Sequence, residues 1–251
     1  MKKTTLLIIL ALPTIFSFAS ENQLVIANAN KAYTDGLYTN AAELYKQVLS
    51  SGNVSWELYY NLGNSYYKLN DFTSAILYYE KAKKLNPGNE DINFNLKVTN
   101  SKITDKIEPL PEMFYKKWYR NVVEWFPADS WARIVIIFFI LALFSALLYF
   151  MSGRIFLKKA GFWAGILFFL FSLLSFHFAY QNYKTLQDTS EAIIFSPTIT
   201  VKSSPDEKSI DLFVLHEGTK VRILDNIGSW YEIRIANGSV GWLPVSSLEK
   251  I

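Results

Sequence analysis

The sequence predicts a mixed multi-domain fold: an α-helical repeat solenoid, then a two-helix transmembrane hairpin, then a small all-β barrel. Three observations carry this. Residue types between 22 and 89 recur with a period of 34. Two apolar stretches, Trp131 to Met151 and Ala160 to Tyr180, occupy the middle of the chain. Beyond residue 191 the chain becomes short runs of β-branched and aromatic residues, separated by Gly, Pro and Asn. The 251 residues are 51% hydrophobic and 16% aromatic, high for a wholly soluble chain. The net charge of +3 is too small to argue for nucleic acid. The absence of cysteine removes disulfides, thiol nucleophiles and thiolate metal sites. The two histidines, His177 and His216, lie far apart in sequence, so no His-based metal site and no cofactor are expected.

Met1 to Ala19 reads as a secretory signal: Lys2 and Lys3 form the basic start, Leu6 to Leu12 the apolar run, and Ser17-Phe18-Ala19 the small-residue cleavage site. An uncleaved anchor is the alternative. Either way the segment that follows is exported.

In the repeats, Tyr38 recurs as Phe72, Ala41 as Ala75, Tyr45 as Tyr79 and Val48 as Ala82. Gly63 and Ala75 are small where paired helices approach, and Pro87 ends the second helix. The period and these residue types resemble the tetratricopeptide repeat. The resemblance assigns residues 22–105 to the array, with copies at 22–55 and 56–89 and a half repeat from Glu90. It also implies a concave face formed by Ile26, Asn30, Tyr33, Tyr60, Asn64, Tyr67 and Lys68, which would bind a protein partner. The Asn residues could bond a peptide backbone, and the tyrosines offer apolar area with a polar tip. Ile26 and Tyr60 stand where chaperone-tail binders carry a basic residue, which argues against that ligand. The competing reading has these tyrosines packed on neighbouring helices or on the hairpin.

Residues 106–130 form a linker and an interfacial segment. Two prolines keep Lys106 to Pro111 extended. Then Phe114, Trp118 and Trp125 mix with Lys116, Lys117 and Arg120, a composition suited to a membrane headgroup layer. Its two readings are a membrane-lying helix that sets the pose of the repeats, and ordinary anchoring.

The apolar stretches at 131–151 and 160–180 each match the ~20 helical residues that cross a bilayer. The connection at 152–159 carries Arg154, Lys158 and Lys159. A hairpin returns the chain to its starting side. With an exported first segment, both soluble parts are therefore expected in the periplasm, with two spans in the bacterial inner membrane and a cytoplasmic loop. His177 lies near the outer end of the second span, where it can reach water, and no proton transport is expected.

In the last part, Tyr231, Ile233 and Ile235 alternate with Glu232 and Arg234, and Asn237-Gly238 marks a tight hairpin. Five or six short strands point to a small barrel. Val201, Ser204-Pro205, Gly218, Val221, Gly228, Trp230-Tyr231, Gly241-Trp242 and Pro244 together resemble the bacterial SH3-like domain over 191–251. The resemblance implies a wall- or peptide-binding module. Trp242 is read as covering the core, Trp230 as a possible ligand contact, and His216 as a turn residue. No catalytic constellation stands out, so no enzyme is expected.

The order of parts, with DKIEPLP at 105–111 and EAIIFSPTITVKSSPDE near the barrel, resembles the BatE family of the bacterial aerotolerance operon. That resemblance implies company: von Willebrand A-type membrane proteins and other products of the operon, in an aerotolerance or envelope-stress complex. The expected role is a membrane-anchored scaffold. The alternative is a cell-wall-binding sensor or anchor, with a peptidoglycan contact through the barrel.

Overall fold

A computed structural model describes residues 22–251; the expected secretory segment at residues 1–19 lies outside them. Five helices come first: α1 over residues 22–34, α2 (Tyr38–Ser50), α3 (Trp56–Lys68), α4 (Phe72–Leu85) and α5 (Glu90–Asn100). Three begin at capped ends. The side chains of Ser55, Asp71 and Asn89 accept from the amides of Leu58, Ser74 and Ile92 at 3.2, 3.0 and 3.0 Å. Each bond satisfies a donor that the first helical turn leaves open.

The 34-residue period is also structural. Gly36 at φ +79° and Asn70 at φ +62° occupy equivalent corners between paired helices, a left-handed conformation that glycine and asparagine adopt at least strain. The hydroxyls of Tyr45 and Tyr79 donate to Asn30 and Asn64, both at 2.7 Å. Gly63 must be small, because a Cβ there would stand 2.7 Å from the ring of Tyr79.

Residues 106–111 carry no helix or strand, as expected of two prolines. They lie along the C-terminal sheet, where Leu110 N–H donates to the Ala236 carbonyl at 3.1 Å. Helix α6 (Phe114–Val123) follows, then the long apolar helices α7 (Ala128–Met151) and α8 (Ile155–Gln187). Both are long and apolar enough to cross a membrane. They pack through small residues: a Cβ on Gly161 would meet the Ser145 carbonyl at 2.7 Å, and the Ser172 hydroxyl donates to the Val135 carbonyl at 3.1 Å. The connection is shorter than the expected 152–159. Only Ser152 to Arg154 lie between the helices, since Ile155 to Ala160 contains good helix formers and no breaker. Lys158 already donates its amide to Arg154. Helix α8 also continues past Tyr180, so it rises beyond the expected span.

The strands are β1 (Glu191–Ile194), β2 (Thr198–Lys202), β3 (Asp211–His216), β4 (Lys220–Ile227), β5 (Trp230–Arg234), β6 (Val240–Pro244) and β7 (Leu248–Lys250). They form one antiparallel sheet in the order β3-β2-β6-β5-β4-β1-β7. The seventh strand was not expected. Leu248-Glu249-Lys250 shows no run of alternating apolar residues, and pairing with β1 alone makes it a strand. Ala192, Ile194, Val201, Leu215, Val221, Ile233 and Leu243 share one buried core. A sheet whose strands all contribute to one core is curled upon itself. Ile107 of the linker packs against that same core.

The curled sheet rests on the second repeat. Ile193, Phe195 and Ile251 pack with Ile76, Leu77, Leu96 and Ile103. Helix α4 is therefore buried on two sides, which its sequence encodes. At the repeat-equivalent positions the first copy has Glu43 and Lys46, both exposed, whereas the second has Leu77 and Glu80, both buried.

Candidate functional site

The repeats enclose an open groove of about 270 Å³ lined by Tyr33, Asn64, Tyr67, Lys68, Tyr79, Phe94, Asn95 and Val98. Its polar floor is ordered by hydrogen bonds. Asn64 Oδ1 accepts from the Tyr79 hydroxyl at 2.7 Å and from Asn95 Nδ2 at 2.9 Å. Burial pushes the Tyr79 phenol well above its ordinary value, and nearby Tyr60 adds to the rise, so it stays a neutral donor. With its oxygen thus occupied, Asn64 has its amide orientation set. Its Nδ2 has no hydrogen-bond partner among the described residues and is available to a carbonyl of a bound chain. Tyr67 packs against Phe72 with ring centroids 5.7 Å apart. Phe94 is 65% exposed at the mouth, a large apolar surface open to a partner.

Of the seven residues expected on the concave face, Tyr33, Asn64, Tyr67 and Lys68 line the groove. The other three are engaged within the repeats instead. Ile26 packs against the core of the first pair. The Asn30 oxygen is taken by Tyr45, whose phenol burial pushes up to about 12. The Tyr60 hydroxyl accepts from Asn95 at 3.0 Å, and its ring packs on Tyr79 at 5.9 Å. Tyr79, Phe94, Asn95 and Val98 were missed, although the period contains part of the signal: Phe94 is the repeat equivalent of Tyr60, and Val98 that of Asn64.

A polar seam joins the repeats to the curled sheet beside its apolar contact. Lys220 Nζ lies 2.9 Å from carboxylate oxygens of both Glu80 and Glu191. Burial pulls the Lys220 ammonium down, but the two carboxylates outweigh it and hold it above its ordinary value. The Lys84 ammonium donates to the Ile251 and Asp188 carbonyls. His216, expected as a turn residue, is instead the last residue of β3. It is held there by Asp105, the last residue of the repeat array.

Trp230 is half-buried on β5, opposite Pro244. Strand alternation sends Tyr231 and Ile233 inward and leaves Trp230 and Glu232 on the outer face. Trp242, opposite Glu232, shares that outer face. Gly241 and Leu243 on either side are the buried positions of β6, so Trp242 does not cover the core as expected.

The model of the tetratricopeptide repeat family matches residues 56–89, and that of the bacterial SH3 domain matches residues 197–249. The two matches point to a protein-interaction or cell-wall-binding role. No curated protein matches the chain. Among solved structures, one titled "Crystal structure of MamA" is similar at 15% identity, covering 68% of this chain and 84% of that one, with a TM-score of 0.31. An overlap that low carries no argument for this chain.

Proposed function

We propose that the chain is a non-enzymatic scaffold anchored in the bacterial inner membrane, which holds a protein partner in the groove of its repeats. The open groove carries this reading: the oriented Asn64 amide, the Tyr67 ring and the exposed Phe94 combine a backbone-reading donor with apolar anchors, as peptide recognition requires. The tetratricopeptide match over 56–89 supports it. Helices α7 and α8 span the bilayer as a hairpin, and the repeats and the SH3-like module stand together in the periplasm. The resemblance to the aerotolerance family makes von Willebrand A-type membrane proteins the partners to test first, within an envelope-stress complex.

The experiment is crosslinking in intact cells with the full chain and a Phe94→Ala/Tyr67→Ala variant. Partner recovery should fall at least tenfold while membrane level and thermal stability hold. Equal recovery from both forms counts against the groove.

A second reading, wall binding, draws on the bacterial SH3 match and on the outer-face pair Trp230 and Trp242. It requires the detergent-solubilised chain to sediment with purified peptidoglycan, and Trp230→Ala to abolish that sedimentation.

A further inference from the structure

We propose that α6 is a lipid-contact element, lying in the headgroup layer of a bilayer that contains anionic phospholipid. The inference rests on the reading of α7 and α8 as a membrane hairpin, and it assigns the surface beside them.

One side of the α6 segment is fastened to the hairpin. Trp131 Nε1 donates to the Val123 carbonyl at 2.9 Å. Asn182 Nδ2 donates to the carbonyls of Val123 and Phe126 at 2.9 and 2.8 Å. The Tyr119 hydroxyl lies 2.7 Å from His177 Nε2. The rings of Trp131 and Phe178 meet edge to face at 5.0 Å. These bonds set the helix at one level, where α7 begins and α8 leaves its apolar stretch.

Just beyond that level the exposed apolar belt of the hairpin starts, with Ile136 and Ile137 on α7. A second side of α6 continues the belt. Phe114 and Trp118, four residues apart and so on one helical face, are 85% and 68% exposed, and Trp125 is 65% exposed just past the helix end. Tyr180 and Tyr183 of α8 are exposed at the same height. Aromatic side chains with polar tips gather where hydrocarbon meets headgroups.

The third side is basic. Arg120 is paired with Glu112 at 2.7 Å and with Glu124 at 4.0 Å, which leaves those acids neutralised. Lys116 and Lys117 make no ion pair among the described residues. A helix with one fastened face, one aromatic face and two unpaired lysines matches the hydrocarbon and phosphate layers of a bilayer surface in that order. The same lysines explain why basic residues crowd this flank of the hairpin more heavily than its short connection.

The chain contains no cysteine, so a single introduced thiol can carry a spin label. Labels are placed at Asn121→Cys, beside the aromatic face, at Phe144→Cys within α7, and at Lys208→Cys in an exposed turn. The full chain is reconstituted in vesicles of phosphatidylcholine with and without phosphatidylglycerol. Collisions with oxygen and with a water-soluble nickel chelate report depth. The label at 121 should be strongly shielded from nickel when phosphatidylglycerol is present, though less than the label at 144. Lys116→Gln/Lys117→Gln should return most of that nickel access in phosphatidylglycerol vesicles only. Nickel access at 121 equal to that at 208, with 144 still shielded, overturns the proposal and leaves the hairpin standing. Nickel access at 144 overturns the hairpin reading itself. Shielding at 121 that ignores both lipid and lysines overturns the anionic preference.

Discussion

Asp105 and His216, 111 residues apart in sequence, meet at 2.7 Å between carboxylate and imidazole Nδ1. The second carboxylate oxygen accepts the His216 amide at 2.8 Å and the Thr219 hydroxyl at 2.6 Å. Through this contact the end of the repeat array holds the turn between β3 and β4. Gly218 in that turn, at φ +84°, presses against Ile103, so that a Cβ would stand 2.5 Å from the Ile103 side chain.

The seam should therefore yield to acid. Burial pushes the Asp105 carboxyl up, but hydrogen bonds from Thr219 and His216 outweigh it and hold the group below its ordinary 3.8. A carboxyl depressed in the folded state adds stability above its unfolded value, and that stability is lost as pH falls through the folded value. A fluorescent distance between labels at Glu43 and Asp225 should stay constant at neutral pH and lengthen below pH 3.8. Asp105→Asn should abolish the Asp105 share of that transition and loosen the seam at neutral pH. An unchanged profile in Asp105→Asn would remove this carboxyl from the account.

Lys220 gives the seam its charge pairing. Removing it leaves Glu80, 8% exposed, facing Glu191. Breaking a fully buried pair costs ~3–5 kcal/mol. Lys220 is partly exposed, so solvent screening lowers the expectation for Lys220→Met to about 1–2 kcal/mol in chemical denaturation. Adding Glu80→Gln should recover part of the loss. A further loss in the double variant contradicts the pairing.

The groove floor depends on close approach of paired helices. Gly63→Ala forces the Tyr79 ring away and weakens its bond to Asn64. Overpacking of this kind costs about 1–3 kcal/mol. Tyr79→Phe deletes the same bond without the clash and should cost about 1 kcal/mol. Both variants should weaken partner capture, and thermal melts separate the two magnitudes.

In the hairpin, Gly161→Val should part α7 from α8, because even a Cβ would meet the Ser145 carbonyl at 2.7 Å. The detergent-solubilised variant should be digested faster at Ser152 to Arg154 than the parent. Equal digestion would mean that the two helices do not depend on this contact.

Everything that repeats or persists locally was legible from the order of residues alone. The 34-residue period places five helices and their corners, the apolar runs place α7 and α8, and the Asn237-Gly238 turn places the β5–β6 hairpin. It held more than was drawn from it: Phe94 lies in register with Tyr60, and Leu77 stands where the first copy has Glu43. The rest emerged when separate segments met in the folded chain. That His216 answers Asp105 and that Lys220 sits between Glu80 and Glu191 are relations between distant segments. Periodicity reports which face of an element is apolar, because burial favours one side at a time. It does not report which element will cover that face, because a partner is chosen by shape and charge that converge only after the chain has folded.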